Sequence, residues 1–137
     1  MWVTTDSKLV YAPPRPGLKK KNRQTSWMVV AEIDRGITEY YRWWVLKRYG
    51  IILQHTAWKP HVTILDGRHA VDKKYHSVWK KYNNVIVPIE YSVEIEQHWK
   101  FWILPVKCDL FLDIREELGF STNFPLHITF GRIDDDN

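Results

Sequence analysis

The chain has 137 residues, which is enough for one ordinary domain with a buried core of its own. Twenty Lys and Arg against sixteen Asp and Glu give a formal net charge of +4, and eight Trp, seven Tyr and five Phe make the chain rich in aromatic rings. The 45% share of hydrophobic residues excludes a wholly disordered chain. A single cysteine excludes an internal disulfide and a multi-thiolate metal centre.

The compartment follows from what the sequence lacks. No apolar run approaches the roughly 18 residues that a membrane span needs, and no secretory signal is recognisable at the start. Together with the single cysteine, this predicts a soluble protein of a reducing compartment, the cytoplasm, with no membrane partner. We leave the oligomeric state open.

The first 26 residues are weakly patterned. Residues 8–12 predict a short strand, and three prolines soon after them end regular structure. Residues 19–23 carry four positive charges, Lys19, Lys20, Lys21 and Arg23, which predict an exposed basic loop. Such a loop either follows a nucleic-acid backbone or is simply solvated. We treat residues 1–26 as an N-terminal strand and loop, and residues 27–137 as one domain.

Within residues 27–137 the hydrophobic pattern switches between strand and helix periods. Apolar runs bounded by turn residues predict strands at 27–33, 61–65, 85–95, 100–106 and 126–130. Apolar residues at helical spacing predict helices from Ile37 to Gly50, from Val71 to Asn84 and from Leu110 to Gly119. The order β-α-β-α-β-β-α-β predicts an α+β domain in which helices pack outside the sheet.

Two of the predicted strands share the form His-apolar-Thr-apolar. One is His61-Val62-Thr63-Ile64 and the other is His127-Ile128-Thr129-Phe130. A Gly-Arg pair follows each of them, Gly67-Arg68 and Gly131-Arg132. Two such segments in matched contexts favour a shared function over two unrelated packed histidines.

The spacing gives these residue types a chemical use. On a strand, residues i and i+2 point to the same face, so each His shares a face with its Thr. Imidazole titrates near neutral pH, so one ring can act as general base and the other as general acid. The two Thr hydroxyls can donate hydrogen bonds to phosphate oxygens and hold the group between the rings. His61, Thr63, His127 and Thr129 are therefore the predicted catalytic set, which needs neither a metal nor a cofactor.

On these two motifs and on the strand at 29–33, the sequence resembles the two-histidine (2H) phosphoesterase superfamily, with its LigT-like fold, over about residues 27–133. The resemblance implies two pseudo-symmetric lobes of antiparallel-rich sheet, helices packed outside and one His-x-Thr from each lobe at a central cleft. It also implies metal-independent action on 2′,3′-cyclic phosphates, 2′-5′ linkages and related RNA ends. Residues 8–13 resemble the start of a phage branch that degrades the cyclic nucleotide messengers of CBASS defence, in which a tyrosine, here Tyr11, contacts the nucleotide.

Several further side chains are candidates for substrate binding. Arg132, close to the second motif, is a candidate bidentate phosphate ligand. The aromatic residues that are candidates to stack on bases are Tyr11, Trp58, Trp99, Trp102 and Phe124. The expected partner is a nucleotide or cyclic oligonucleotide, with RNA as an alternative.

The predicted function is hydrolysis of cyclic nucleotide messengers by paired-histidine acid–base catalysis, which the resemblance associates with viral counter-defence. One alternative is an enzyme of RNA ends, either a 2′,3′-cyclic phosphodiesterase or a 2′-5′ RNA ligase-like protein. The other is a non-catalytic sponge that binds a nucleotide and releases it intact.

Overall fold

Antiparallel strands dominate the computed structural model of the chain, which describes residues 1–14, 25–56 and 58–133. The strands are β1 Trp2–Tyr11, β2 Met28–Glu32, β3 His61–Asp66, β4 Ile86–Ser92, β5 Glu96–His98, β6 Phe101–Lys107 and β7 His127–Arg132. The helices are α1 Arg35–Tyr49 and α2 Asp109–Glu117, with a 3₁₀ helix at Lys73–Val78.

The sheet closes on itself. Its strand order is β4-β1-β2-β3-β7-β6-β5, and β4 also pairs with β6, so six strands form an antiparallel barrel and β5 extends it beside β6. The predicted α+β class is therefore confirmed. The strands join in one continuous sheet, which does not by itself divide into two lobes. The two pseudo-symmetric lobes around a central cleft therefore stay a prediction.

Alternating burial along β3 and β7 defines an apolar face. Val62, Ile64, Ile128 and Phe130 are fully buried, whereas the residues between them are partly exposed. Both α-helices pack on this face: α1 contributes Tyr41 and Val45 to the main core, and α2 contributes Phe111 and Ile114. A second, smaller cluster consists of Met28, Val30 and Trp58 with Val10 against it.

The predicted helices at 37–50 and 110–119 are confirmed with small shifts in their bounds. Asp34 caps α1 because its side chain accepts a hydrogen bond from the Gly36 N–H at 2.7 Å. Gly50 ends the same helix in the left-handed region, at φ 69°. Gly119, at φ 85°, follows α2 in the same conformation.

The predicted helix at 71–84 is wrong for most of its length. Only Lys73–Val78 is helical, in the 3₁₀ form, and turns follow it. Polar side chains bond to the backbone here: Asp72 accepts from the Lys74 N–H at 3.0 Å, and His76 Nε2 lies 2.9 Å from the Val71 carbonyl. Such local bonds compete with the α-helical ladder.

Two strands differ from the sequence expectation. The N-terminal strand covers ten residues instead of 8–12 and lies between β2 and β4, pairing with both. The short β5 was not expected as a separate strand, and it forms a hairpin with β6. Among the described residues, no helix is long and apolar enough to cross a membrane. The basic loop at 19–23 lies outside the described residues.

Candidate active site

The two His-x-Thr segments are direct neighbours in the sheet. Strands β3 and β7 run antiparallel, and the bridge between them joins Val62 to Ile128, the central residues of the two motifs. This register places His61 opposite Thr129 and His127 opposite Thr63. Since Val62 and Ile128 point to the apolar face, the four predicted catalytic side chains share the other face, where all four are partly exposed.

The register also sets the spacing of the two imidazoles. His61 and His127 are diagonal neighbours across the β3–β7 pair. Diagonal neighbours in an antiparallel pair stand roughly 7–8 Å apart, within mutual reach of long side chains. A single phosphoryl group can therefore lie between the two rings.

The two rings are anchored in the same way. His61 Nδ1 lies 2.7 Å from the Lys59 carbonyl oxygen, and His127 Nδ1 lies 2.9 Å from the Pro125 carbonyl oxygen. In both cases the acceptor is two residues before the histidine. Because a carbonyl can only accept, Nδ1 carries the hydrogen in each ring, and the lone pair of a neutral ring lies on Nε2. Each ring can thus exchange a proton through Nε2.

Two arginines, the half-buried Arg42 and the buried Arg115, each bind a motif strand from the other half of the chain. Arg42 of α1 donates from Nη1 to the Phe130 carbonyl on β7 at 3.0 Å. Arg115 of α2 donates from Nη1 to the Ile64 carbonyl on β3 at 2.8 Å. Each acceptor directly follows a motif threonine, so the helix of one half of the chain fixes the motif strand of the other half. Burial lowers the pKa of both guanidinium groups from the ordinary arginine value.

A proline explains one of these contacts. Continuing the Val62–Ile128 register places Pro60 opposite Phe130. Proline has no backbone N–H, so β3 offers the Phe130 carbonyl no donor at that point. The Arg42 guanidinium supplies the donor instead.

Arg115 also organises the loop that leads to His127. Its Nε donates to the Ser121 carbonyl at 2.6 Å, and its guanidinium carbon lies 3.9 Å from the centre of the Phe124 ring. The Arg115 residue is only 8% exposed. One side chain therefore ties together α2, β3 and the segment before the second motif.

Sequence reasoning missed Glu32, the last residue of β2. Register places Glu32 opposite His61 and Val30 opposite Thr63, so Glu32 shares the motif face with His61 as its neighbour across the β2–β3 pair. The available signal was an acidic residue at the end of an otherwise apolar strand, but its partner depends on the strand register.

Three predicted binding residues lie near the motif pair or at its strand end. The Trp58 ring centre is 4.7 Å from that of His61. Phe124 and His127 line the same hollow of about 470 Å³. Arg132 ends β7, where its backbone exchanges two hydrogen bonds with Gln54, at 2.8 and 3.0 Å.

Tyr11 and Trp102, two of the residues predicted to stack on bases, are buried, as is Trp58. Tyr11 is 5% exposed and packs edge-on against Trp79, while Trp102 is 7% exposed and belongs to the main core. Neither ring has a face open to a base. Burial raises the pKa of the Tyr11 phenol well above its ordinary value, as expected for a core residue. Trp99 is exposed, but it stands at the tip of the β5–β6 hairpin under Lys100 and away from the motif pair.

Two hollows flank the motif pair at opposite ends. We call the hollow of about 350 Å³ between α1 and the loop before β3 the α1 hollow; it is lined by Arg35, Thr38, Glu39, Arg42, His55, Thr56, Trp58, Lys59 and Pro60. The other is the hollow that His127 and Phe124 line, which we call the β6 hollow. Neither hollow is lined by both histidines, and the central cleft therefore stays a prediction.

No protein-family model, curated protein or solved structure matches the chain. Within the described ranges, no group of three or more His, Cys, Asp and Glu side chains is placed to hold a metal ion. Cys108 is half-buried, and burial raises the pKa of its thiol.

Proposed function

We propose that the chain is a metal-independent phosphodiesterase of the two-histidine type, which hydrolyses a nucleotide phosphodiester and acts first of all on cyclic nucleotide messengers. The observation that carries the proposal is the antiparallel pairing of the two His-x-Thr segments around Val62 and Ile128. Their identically anchored imidazoles add to it. The choice of messenger rests on the resemblance of the sequence to the 2H superfamily.

The proposed reaction needs only two proton transfers at Nε2 atoms. One neutral imidazole takes a proton from the attacking water or ribose hydroxyl, whose oxygen forms a bond to phosphorus. The other imidazole is protonated and gives its proton to the leaving oxygen as the second phosphorus–oxygen bond breaks. Exchange with solvent then restores both rings. The Nδ1–H bonds to backbone carbonyls keep the rings oriented throughout.

Thr63 and Thr129 hold the phosphoryl group in this scheme. Thr63→Val and Thr129→Val are each expected to lower kcat/KM by about 10- to 100-fold, because each variant removes one hydrogen bond to a charged oxygen. The measurement is steady-state hydrolysis together with a thermal melt. Thr122→Val, an exposed loop threonine, is the matched control. Unchanged kinetics in both motif variants would contradict the role.

The proposed function is tested with purified protein in EDTA and a panel of phosphodiesters. The panel contains cyclic dinucleotides and trinucleotides, 2′,3′-cyclic mononucleotides, 2′-5′ oligonucleotides and RNA with a cyclic end, and chromatography identifies the products. Turnover of the cyclic oligonucleotides supports the messenger function, whereas turnover of RNA ends alone supports the alternative enzyme. Tight binding without any product would replace the enzyme with a nucleotide sponge.

A further inference from the structure

We propose that the α1 hollow binds a second phosphate of the substrate, so that the preferred substrate carries one phosphate at the motif pair and another beside α1. This inference rests on the proposed function and names the class of substrate: a nucleotide with two separate phosphate groups. Three observations support it: the position of the hollow, its excess of basic over acidic residues, and the hydrogen-bond donors that its basic side chains have left for a ligand.

The α1 hollow lies beside His61 in the chain, because Lys59 and Pro60 line it, although none of the four motif side chains does. Trp58 lines the hollow, and its ring lies 4.7 Å from the His61 ring. Trp58 also packs with Val30, which stands opposite Thr63 on the motif face. Pro60, the residue before His61, closes the wall. Trp58 is only 8% exposed and α1 packs on the apolar face, so a ligand held between the two histidines reaches the hollow around the start of β3, at Pro60.

The charge of the hollow favours an anion. Three basic residues line it, Arg35, Arg42 and Lys59, against one acidic residue, Glu39. The β6 hollow has the opposite balance, with Lys107 against Glu96 and Asp109. A substrate with a second anionic group is thus attracted to the His61 end of the site and disfavoured at the His127 end.

The basic side chains of the hollow are suitable for ligand binding. Within the described part of the chain, neither Arg35 nor Lys59 takes part in an ion pair. Arg42 is half-buried and held in place by its bond to the Phe130 carbonyl. A guanidinium group has five N–H donors, so this bond leaves further donors for a phosphate oxygen.

The size of the hollow suits a small part of a nucleotide. Its volume of about 350 Å³ lies at the lower end of the range for small-molecule sites. It can accept a phosphate with part of its sugar, which is the unit next to a scissile phosphate in a nucleotide chain. Two sources give this chemistry: a terminal phosphate monoester, or the next diester of a di- or oligonucleotide.

The test compares substrates that differ only in the second phosphate. Adenosine and uridine 2′,3′-cyclic phosphates are assayed with and without a 5′-phosphate, in EDTA at one ionic strength. The 5′-phosphate is expected to lower KM by about 10- to 100-fold with little change in kcat, which corresponds to one charged hydrogen bond or more. A dinucleotide ending in a 2′,3′-cyclic phosphate, without a 5′-phosphate, tests the internal diester as the source.

The Arg35→Gln variant tests whether the lower KM of the 5′-phosphorylated substrates depends on the α1 hollow. In this variant the ratio of the two KM values is expected to fall to near one, whereas Arg48→Gln, at the exposed far end of the same helix, should keep the wild-type ratio. Equal KM values in the wild-type protein, or a preference that Arg35→Gln does not change, would overturn the site. If the dinucleotide alone shows the preference, the second phosphate is an internal diester.

A binding measurement tests the second phosphate site independently of the proposed catalysis. If no substrate is turned over, isothermal titration calorimetry gives the same comparison as dissociation constants. A 5′-phosphate preference that Arg35→Gln removes would then support the second phosphate site while the proposed catalysis fails. Equal affinities, or no binding, would overturn the second site as well.

Discussion

Asparagine in place of His61 or His127 is expected to lower kcat by at least about 10²-fold, because each ring moves one proton in the proposed transition state and such a group is typically worth about 10²–10⁴-fold. Asparagine suits both positions, since its amide N–H can still donate to the carbonyl that now anchors Nδ1. It does not titrate near neutral pH. The double variant is expected to lose little more than either single one, because the two rings act as a unit.

The control for these variants is His69→Asn, since His69 is exposed and lies outside the motif pair. Circular dichroism and thermal melts establish that each variant is folded. The pH–rate profile of the wild-type protein is expected to be bell-shaped, because one ring must be neutral and the other protonated. A folded motif variant that keeps more than about a tenth of kcat would end the proton-transfer role of that residue.

Arg115→Met is expected to lower the free energy of unfolding by about 2–5 kcal/mol, because it leaves the Ile64 and Ser121 carbonyls without their buried donor. Methionine retains the volume and flexibility of the arginine stem, so loss of packing is kept small. Arg42→Met removes a single bond, to Phe130, and should cost about half as much. Urea unfolding followed by tryptophan fluorescence gives both values.

The Arg115→Lys variant keeps the positive charge but loses the shape of the guanidinium group, so it shows which of the two stabilises the fold. A lysine ammonium cannot reproduce the guanidinium fork that reaches two carbonyls from one position, so only part of the stability should return. Arg48→Met, on an exposed part of α1, should change stability by less than about 0.5 kcal/mol. A loss below about 1 kcal/mol in Arg115→Met would contradict the proposed role of the buried arginine.

The regular elements of the fold followed from local patterns in the sequence. Asp34 and Gly50 give α1 its start and end, and the alternating apolar residues of β3 and β7 give the strands that carry the motifs. The segment at 71–84 has an apolar period that fits a helix equally well. Its local side-chain bonds and the packing of Trp79 against Tyr11 decide otherwise, and the second of these depends on contacts far along the chain.

The candidate site was predictable only as far as its residue types and spacing. The His-x-Thr spacing on a strand predicts that each His lies on the same face as its Thr. The pairing of Val62 with Ile128, which brings the two motifs together, depends on the strand register and is not visible in the sequence. The same holds for Glu32 beside His61. Tyr11 was expected to contact a nucleotide because of the family resemblance, and Trp102 because it lies beside a predicted turn, whereas both rings are buried in the main core.

The identical anchoring of the two imidazoles has a consequence for product chemistry. Both rings are held as the same tautomer, by a carbonyl two residues before them, so the motif pair alone does not distinguish the ring that loses a proton from the ring that gains one. The surroundings are unequal: Glu32 and Trp58 accompany His61, and the β6 hollow accompanies His127. If the chain is the proposed phosphodiesterase, the leaving oxygen, and with it a 2′- or a 3′-phosphate product, is set by the orientation in which these unequal surroundings hold the substrate.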